Sequence, residues 1–277
     1  MEDLSSQVFF PASFNELFAA WNKYPDAKLF AGGTGIIWRQ GKNIPDLPPE
    51  IICLDKLEEL SNITRTEKYL EIGAMVTLNR LLWLGKAVPE VLCRCIENIA
   101  GIQVRNIATI GGNICCTTRL LDTAAPMTAL DAQYELRSAN SSRWISASRF
   151  YLAGGRNVLE KGEFLTRIRV PLEPWDYSVY SKFSPDDIYN SEVLVFLAKT
   201  QKNILTGLKV VFKANNILQN KKSESIIAGK NLPLSRKTAG DFVDNWISFI
   251  AERADMNELL KNEIINCIEL SISSLSE

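Results

Sequence analysis

Two pairs of adjacent glycines, each preceded by apolar residues, constrain this chain more than any other feature of its sequence. The pairs in question are Gly32-Gly33, within residues 29–36, and Gly111-Gly112, within residues 109–113. Glycine accepts positive φ angles and lets another group approach the backbone closely, so such a pair is typical of a tight connection at the end of a strand. We therefore expect both pairs to lie in loops.

The first glycine segment (residues 29–36) and the second glycine segment (residues 109–113) are candidates for an anion site. Successive backbone N–H groups in such turns converge on a concave binding site for anions, and Thr34, Thr109 and Asn113 add side-chain donors. Each pair could instead be a tight turn without a ligand, but the matching flanks favour a shared diphosphate site. Neither segment fits the glycine pattern of a Rossmann or P-loop nucleotide site.

The chain contains no histidine. This excludes Ser-His and Cys-His catalysis and histidine metal ligands. Its six cysteines form no C-x-x-C pair, and neither Cys93 with Cys95 nor Cys115 with Cys116 has the spacing of a zinc or iron–sulfur site. We therefore expect no metal site and no catalytic residue, with any chemistry coming from a bound cofactor or from Lys, Asp, Glu, Tyr or Cys.

Charge and hydropathy exclude further classes. The net charge is −1, from 31 basic and 32 acidic residues without a long run of either sign, so nucleic-acid binding is not expected. The acidic start Met1-Glu2-Asp3 lacks the basic region of a signal peptide. No apolar stretch approaches the roughly 18 residues of a membrane span. The expectation is a soluble, cytoplasmic protein with no membrane contact.

Apolar periodicity predicts the order of helices and strands. Ser13 and Glu16 form a capping-box pattern for a helix over residues 13–24, Thr77 is placed to cap another, and Pro89 begins a longer one that includes Ile99. A helix or turn is predicted over 126–132 and helices over 236–254 and 257–273. Strands are predicted over 27–31, 51–54, 69–74, 134–137, 164–170, 177–183, 193–200 and 205–212. Lys221-Lys222 is interpreted as a solvated turn. The pattern predicts an α+β protein.

At the glycine segments the sequence resembles a known family. Ala31-Gly32-Gly33-Thr34 and Arg105-Asn106-Ile107-Ala108-Thr109-Ile110-Gly111-Gly112-Asn113 are similar to motifs of the FAD-binding (medium) subunit of molybdenum hydroxylases, the xanthine dehydrogenase and carbon monoxide dehydrogenase group. The resemblance runs from Phe10 to Lys230. It implies a two-part vanillyl-alcohol-oxidase-type FAD-binding domain, with subdomains 1–60 and 61–175. A C-terminal antiparallel sheet with helices would follow over 176–277.

The resemblance also implies roles for individual residues. Both glycine segments would bind the FAD diphosphate: Leu29, Phe30, Ala31, Gly32, Gly33, Thr34, Gly35 and Ile36, with Thr109, Ile110, Gly111, Gly112 and Asn113. Asp122 would bind the FAD ribose or nearby polar groups, or else cap a helix or turn. Ile99 would contact the cofactor or belong to the core. Leu165 and Lys182 would lie near the flavin, where Lys182 could steady negative charge on the reduced ring or be a surface lysine.

The implied function is electron transfer within a complex. A molybdopterin-binding subunit would oxidise the substrate and a [2Fe-2S] subunit would relay electrons to FAD on this chain, which would pass them to NAD⁺ or another acceptor. Gly35, Arg119, Pro185 and the pair Cys115-Cys116 depart from the family pattern. Two alternatives stay open: a stand-alone FAD oxidoreductase of the same fold, and a flavin-free interaction subunit.

Overall fold

The computed structural model describes residues 6–40, 47–152, 156–183, 191–253 and 256–276. The strands in these ranges form three sheets, of three, five and four strands. The first sheet draws on residues 7–53, the second on residues 63–171 and the third on residues 177–219. A separate cluster of buried apolar side chains accompanies each sheet.

The first sheet is small and parallel. Its strands β1 (Gln7–Phe9), β2 (Lys28–Phe30) and β3 (Glu50–Cys53) are arranged in the order β1-β3-β2, with helices α1 (Phe14–Lys23) and α2 (Thr34–Gln40) after β1 and β2. As predicted, Ser13 caps α1, since its hydroxyl accepts the Glu16 N–H at 3.3 Å. The strand predicted over 27–31 is only half-buried, because β2 lies at the edge of the sheet.

The second sheet is antiparallel throughout, in the order β4-β5-β8-β6-β7. Its strands are β4 (Ile63–Arg65), β5 (Tyr69–Gly73), β6 (Gln133–Arg137), β7 (Ser142–Ser146) and β8 (Phe164–Pro171). The helices between β5 and β6, and after β7, are α3 (Leu78–Trp83), α4 (Glu90–Glu97), α5 (Ile102–Arg105), α6 (Ile110–Ile114), α7 (Ala124–Ala129) and α8 (Ala147–Phe150). Ile72, Tyr134 and Ile168 are fully buried beneath them.

The third sheet is an antiparallel meander covered by helices. Its strands β9 (Tyr177–Phe183), β10 (Glu192–Gln201), β11 (Ile204–Lys213) and β12 (Ile217–Gln219) pair in sequence order. The helices are α9 (Lys221–Ile227), α10 (Arg236–Ala251) and α11 (Glu258–Ser273). The strands predicted over 177–183, 193–200 and 205–212 and the last two helices are confirmed. Phe196, Phe212 and Trp246 fill the space between sheet and helices.

Two predicted elements are wrong. Lys221-Lys222 begins α9 rather than a turn, because Asn220 caps that helix by accepting the Ser223 N–H and Ile227 is buried. The helix predicted from Pro89 ends at Glu97, so Ile99 lies in the connection beyond it. Within the described ranges, no helix combines the length and apolarity needed to cross a bilayer.

Candidate functional site

The first glycine segment turns the chain from β2 into α2. Gly33 has a φ of +68°, which favours glycine because a side chain there would be strained. A Cβ on Gly33 would also lie 2.3 Å from Cζ of Phe30. The Gly33 carbonyl accepts the N–H groups of Ile36 and Ile37, each at 3.1 Å, and so completes the first turn of α2. The positive-φ turn predicted from the sequence is confirmed at this glycine.

Gly32 brings the two glycine segments into contact. A Cβ built on Gly32 would lie 1.8 Å from the carbonyl oxygen of Ile107 and 3.3 Å from Cα of Ala108. The φ of Gly32 is not in the left-handed region. Glycine is therefore required here by the approach of another backbone. Because Ala108 directly precedes Thr109, this contact places the first glycine segment against the start of the second.

The second glycine segment is helical, and the prediction of a loop is wrong. Thr109 caps α6 by accepting the Gly112 N–H on its hydroxyl at 3.0 Å. Gly111 packs against the strand end before α3, where a Cβ would lie 2.6 Å from the Ala74 carbonyl oxygen. Four N–H groups of this segment already have acceptors: Ile110 on Val76, Gly111 on Ala74, and Gly112 and Asn113 on Thr109.

Free backbone donors are found instead in the first glycine segment. The N–H groups of Thr34 and Gly35, at the start of α2, find no acceptor among the described residues, as expected for the first residues of a helix. A Cβ on Gly35 would meet no atom of the described residues within 4 Å. The start of α2 thus combines unpaired donors with open space, which fits a phosphate group.

A buried charge cluster (Asp122, Lys182, Ser191 and Lys213) forms the second part of the site. Asp122 is 7% exposed. Its Oδ2 lies 2.7 Å from Lys182 Nζ, and its Oδ1 accepts the Ser191 hydroxyl at 2.6 Å and lies 3.6 Å from Lys213 Nζ. Asp122 and Lys182, which the resemblance implied separately, therefore form one ion pair.

The cluster keeps the Asp122 carboxyl ionised. Burial raises the pKa of Asp122, but the charge of Lys213 and the hydrogen bonds from Lys182 and Ser191 outweigh it, and the pKa falls below its ordinary value. The side chain of Asp122 caps no helix among the described residues, so the alternative role of a cap is not supported. Lys182 is half-buried and paired, unlike a free surface lysine.

A hydrogen bond joins the second glycine segment to the charge cluster. The Thr123 hydroxyl donates to Oδ1 of Asn113 at 2.5 Å, and Thr123 directly follows Asp122. Lys182 extends the link on the other side, because its Nζ also donates to the carbonyl of Asn98 at 2.9 Å, next to Ile99. The predicted site residues from Thr109 to Lys182 therefore form one connected region.

Ile99 and Leu165 differ in their exposure. Ile99 is partly buried and packs against the core cluster of the second sheet. Leu165 lies in β8 and is 4% exposed, so its side chain belongs to that core, beneath α6. The backbone of Leu165 contacts the thiol of Cys115, which lies two residues after the second glycine segment. This contact places Leu165 close to that segment.

Arg105 holds the connection that carries Ile99. Its Nη1 donates to three carbonyl oxygens, those of Glu97 at 3.2 Å, Ile99 at 3.0 Å and Ala100 at 2.5 Å. Ala100 has a φ of 46°, a conformation that non-glycine residues rarely adopt without support. In the sequence, Arg105 stands out only as part of the family motif. That motif does not reveal which carbonyl groups its side chain contacts.

We expect Arg105→Met to lower the free energy of unfolding by about 2 kcal/mol, because three carbonyls lose a charged donor. Urea unfolding followed by circular dichroism measures the change. Arg94→Met is the control, since Arg94 is exposed and its ion pair among the described residues is with Glu90 on the same helix. Its effect should be about 0.5 kcal/mol or less. Equal losses in both variants would contradict the supporting role of Arg105.

The residues that depart from the family pattern lie in different environments. Burial raises the pKa of Cys115 to about 12, so this thiol is a poor nucleophile and packs against the core. Cys116 Sγ lies 3.3 Å from the Thr118 hydroxyl. Arg119 has interactions within the protein. Pro185 lies outside the described residues. In the described part of the chain, no three acidic or cysteine side chains converge as metal ligands would.

The sequence did not reveal several residues of this region. Lys213, Ser191 and Thr123 hold Asp122 and Asn113 but belong to no motif. One signal was present for Lys213. It directly follows the apolar run Val210-Val211-Phe212, where a charged residue at the end of a buried strand needs a partner.

Comparison with known proteins identifies the family. Residues 4–173 match the family described as the FAD binding domain in molybdopterin dehydrogenase. The xanthine dehydrogenase FAD-binding subunit of Escherichia coli O157:H7 is 33% identical over 168 residues, covering 59% of this chain and 57% of that protein. The carbon monoxide dehydrogenase medium chain of Hydrogenophaga pseudoflava is 32% identical over 148 residues, covering 53% and 51%. The chain thus matches little more than half the length of these relatives.

Solved structures extend the likeness to the whole fold. Quinoline 2-oxidoreductase from Pseudomonas putida 86 superposes with a TM-score of 0.82 at 20% identity, covering 100% of this chain and 98% of that chain. Reconstituted CO dehydrogenase from Oligotropha carboxidovorans gives a TM-score of 0.80 at 22% identity, covering 98% of each. The expected α+β fold with a vanillyl-alcohol-oxidase-type FAD domain is confirmed. The chain belongs to the FAD-binding-domain family of molybdopterin dehydrogenases, and its cofactor is FAD.

Proposed function

We propose that this chain is the electron-transfer subunit of a multi-subunit molybdenum hydroxylase similar to xanthine dehydrogenase. It would take electrons from iron–sulfur clusters and pass them to NAD⁺ or another acceptor. The observation that carries the proposal is the backbone contact of Gly32 with Ile107, which joins the two glycine segments in a chain of this family. FAD, when bound, supplies the redox chemistry, and the protein supplies binding and orientation.

The residues fit FAD in the following way. The N–H groups of Thr34 and Gly35 would hold the diphosphate, with open space beside Gly35. Asn113 is held by Thr123 at the edge of the second glycine segment. Asp122 and Lys182 would orient the polar groups further along the cofactor, with Ile99 beside them. The side chain of Leu165 would support this surface from the core.

The partners follow from the same proposal. The relatives are named as subunits or chains of xanthine and carbon monoxide dehydrogenases. The chain has no histidine, and its described residues show no converging metal ligands. We infer that a molybdopterin-binding subunit and a [2Fe-2S] subunit complete the enzyme in the cytoplasm. The proposed units of this chain are 1–60 and 61–175 for FAD and 176–277 for the C-terminal domain.

A titration of the purified chain with FAD tests the proposal. We expect flavin absorbance bands in the protein as purified, or saturable uptake of added FAD with quenching of its fluorescence. Anaerobic addition of NADH should then bleach the bound flavin if NAD⁺ is the acceptor, whereas an unbleached flavin would indicate another acceptor. A protein that refuses FAD would contradict the electron-transfer role and favour a flavin-free interaction subunit.

A further inference from the structure

Lys213 is a buried cation of the charge cluster, and the proposed function gives it no contact with FAD. Its side chain is 4% exposed at the end of β11, where the preceding Val210 and Val211 are fully buried. An apolar side chain would satisfy the packing of this strand, and a buried ammonium is unfavourable unless it is paired and hydrogen-bonded. The reason for a lysine at this buried position must therefore lie in the groups that Lys213 contacts.

The contacts of Lys213 converge on Asp122. Its Nζ donates to the carbonyl of Ser191, and the hydroxyl of the same serine donates to Asp122 Oδ1 at 2.6 Å. Lys213 Nζ itself lies 3.6 Å from Asp122 Oδ1. The second carboxylate oxygen, Oδ2, faces Lys182 Nζ at 2.7 Å. Each oxygen of one carboxylate thus has its own ammonium.

This arrangement leaves excess positive charge in the cluster. Among the described residues, the charges acting on Lys213 are those of two acids, Asp122 and Glu192, and two further cations, Arg119 and Lys182. Burial lowers the pKa of Lys213, and the two acids raise it. The charge of Arg119 adds to the positive side. The two lysines differ in exposure, since the side chain of Lys182 is 24% exposed and that of Lys213 is 4%. The excess charge is therefore presented on the accessible side, at Lys182.

We propose that Lys213 is a positioning residue that neutralises Asp122 from the protein interior and so leaves the ammonium of Lys182 available to the bound cofactor. The inference rests on the proposed function, because it takes the flavin ring to lie beside Lys182. FAD is neutral at its ring when oxidised and gains one negative charge when it takes up two electrons and one proton. A cluster with a net positive charge therefore binds the reduced form more strongly than the oxidised form.

The two-electron midpoint potential of FAD bound to the purified chain tests this proposal. In Lys213→Met, Lys182 and Asp122 are left as a pair with no net charge, because the second ammonium facing Asp122 is gone. We expect the affinity for reduced FAD to fall about tenfold relative to oxidised FAD, which lowers the potential by about 30 mV. Lys213→Arg keeps the positive charge and should keep the potential of the wild type. Equilibration with a reference dye of known potential gives both values.

The double variant Asp122→Asn with Lys213→Met separates charge from structure. It removes one negative and one positive charge, so the net charge of the cluster is that of the wild type and the potential should return to the wild-type value. This variant also serves if Lys213→Met does not fold. A potential that is unchanged in Lys213→Met, or equally lowered in the double variant, would overturn the inference. Failure of the wild type to take up FAD would instead overturn the proposed function.

Discussion

Gly32→Val is expected to abolish tight FAD binding. The new Cβ would lie 1.8 Å from the carbonyl oxygen of Ile107, and a backbone atom cannot rotate away as a side chain can. The two glycine segments would have to separate, and overpacking of this kind costs about 3 kcal/mol. If the two segments bind the cofactor jointly, the Kd for FAD should rise about 100-fold or more. Fluorescence titration with FAD measures the change.

Gly35→Val distinguishes damage to the fold from loss of the binding surface. A Cβ on Gly35 meets nothing within 4 Å in the part of the protein that the structure describes, so we expect the unfolding free energy to be nearly unchanged. If the phosphates occupy that space, FAD affinity should nevertheless fall. Gly240→Val is the matched control, because Gly240 is also in a helix with nothing within 4 Å and lies far along the chain, in α10. Unchanged FAD affinity in Gly35→Val would place the phosphates elsewhere.

Local signals predicted much of this fold correctly. The cap at Ser13 and the alternating strands β9, β10 and β11 depend on neighbours in sequence, and the structure has them where the pattern placed them. β1 and β4 were not predicted, because each is short and two of its three side chains are exposed, so neither shows an apolar pattern. Their pairing with β3 and β5 is supplied by the tertiary structure.

The different roles of the glycines could not be predicted from local sequence patterns. The sequence suggests the same role for all four, but the structure uses Gly33 for a positive φ, Gly32 for contact with Ile107, and Gly111 for contact with Ala74. The last two contacts are between segments distant in sequence, so no local pattern contains them. The same holds for Lys213, whose partner Asp122 belongs to the helical connection before β6, outside the third sheet. Charged partners across the fold are visible only once the sheets are placed.

Asp122→Asn is expected to lower the free energy of unfolding by about 3 kcal/mol. The substitution leaves the buried ammonium of Lys213 facing a neutral amide, and removing one partner of a buried ion pair typically costs about 3–5 kcal/mol. Lys182 is less affected, because its side chain is 24% exposed. Urea unfolding near neutral pH measures the loss. Asp26→Asn is the control, because Asp26 is 92% exposed and its pair with Lys161, at 3.8 Å, should contribute nothing measurable.

The pH dependence of the unfolding free energy of the same variants tests whether the loss comes from the charge of Asp122. The pKa of Asp122 is lower in the folded protein than its ordinary value of about 3.9. Its contribution to stability is therefore present above about pH 4 and is lost as the pH falls through the lower, folded value. The difference in stability between wild type and Asp122→Asn should shrink in that range. Lys213→Met added to Asp122→Asn should recover part of the loss at neutral pH, because no unpaired buried charge is left. Additive losses at these two positions, with no change toward acid pH, would mean that Asp122 stabilises the protein through packing alone.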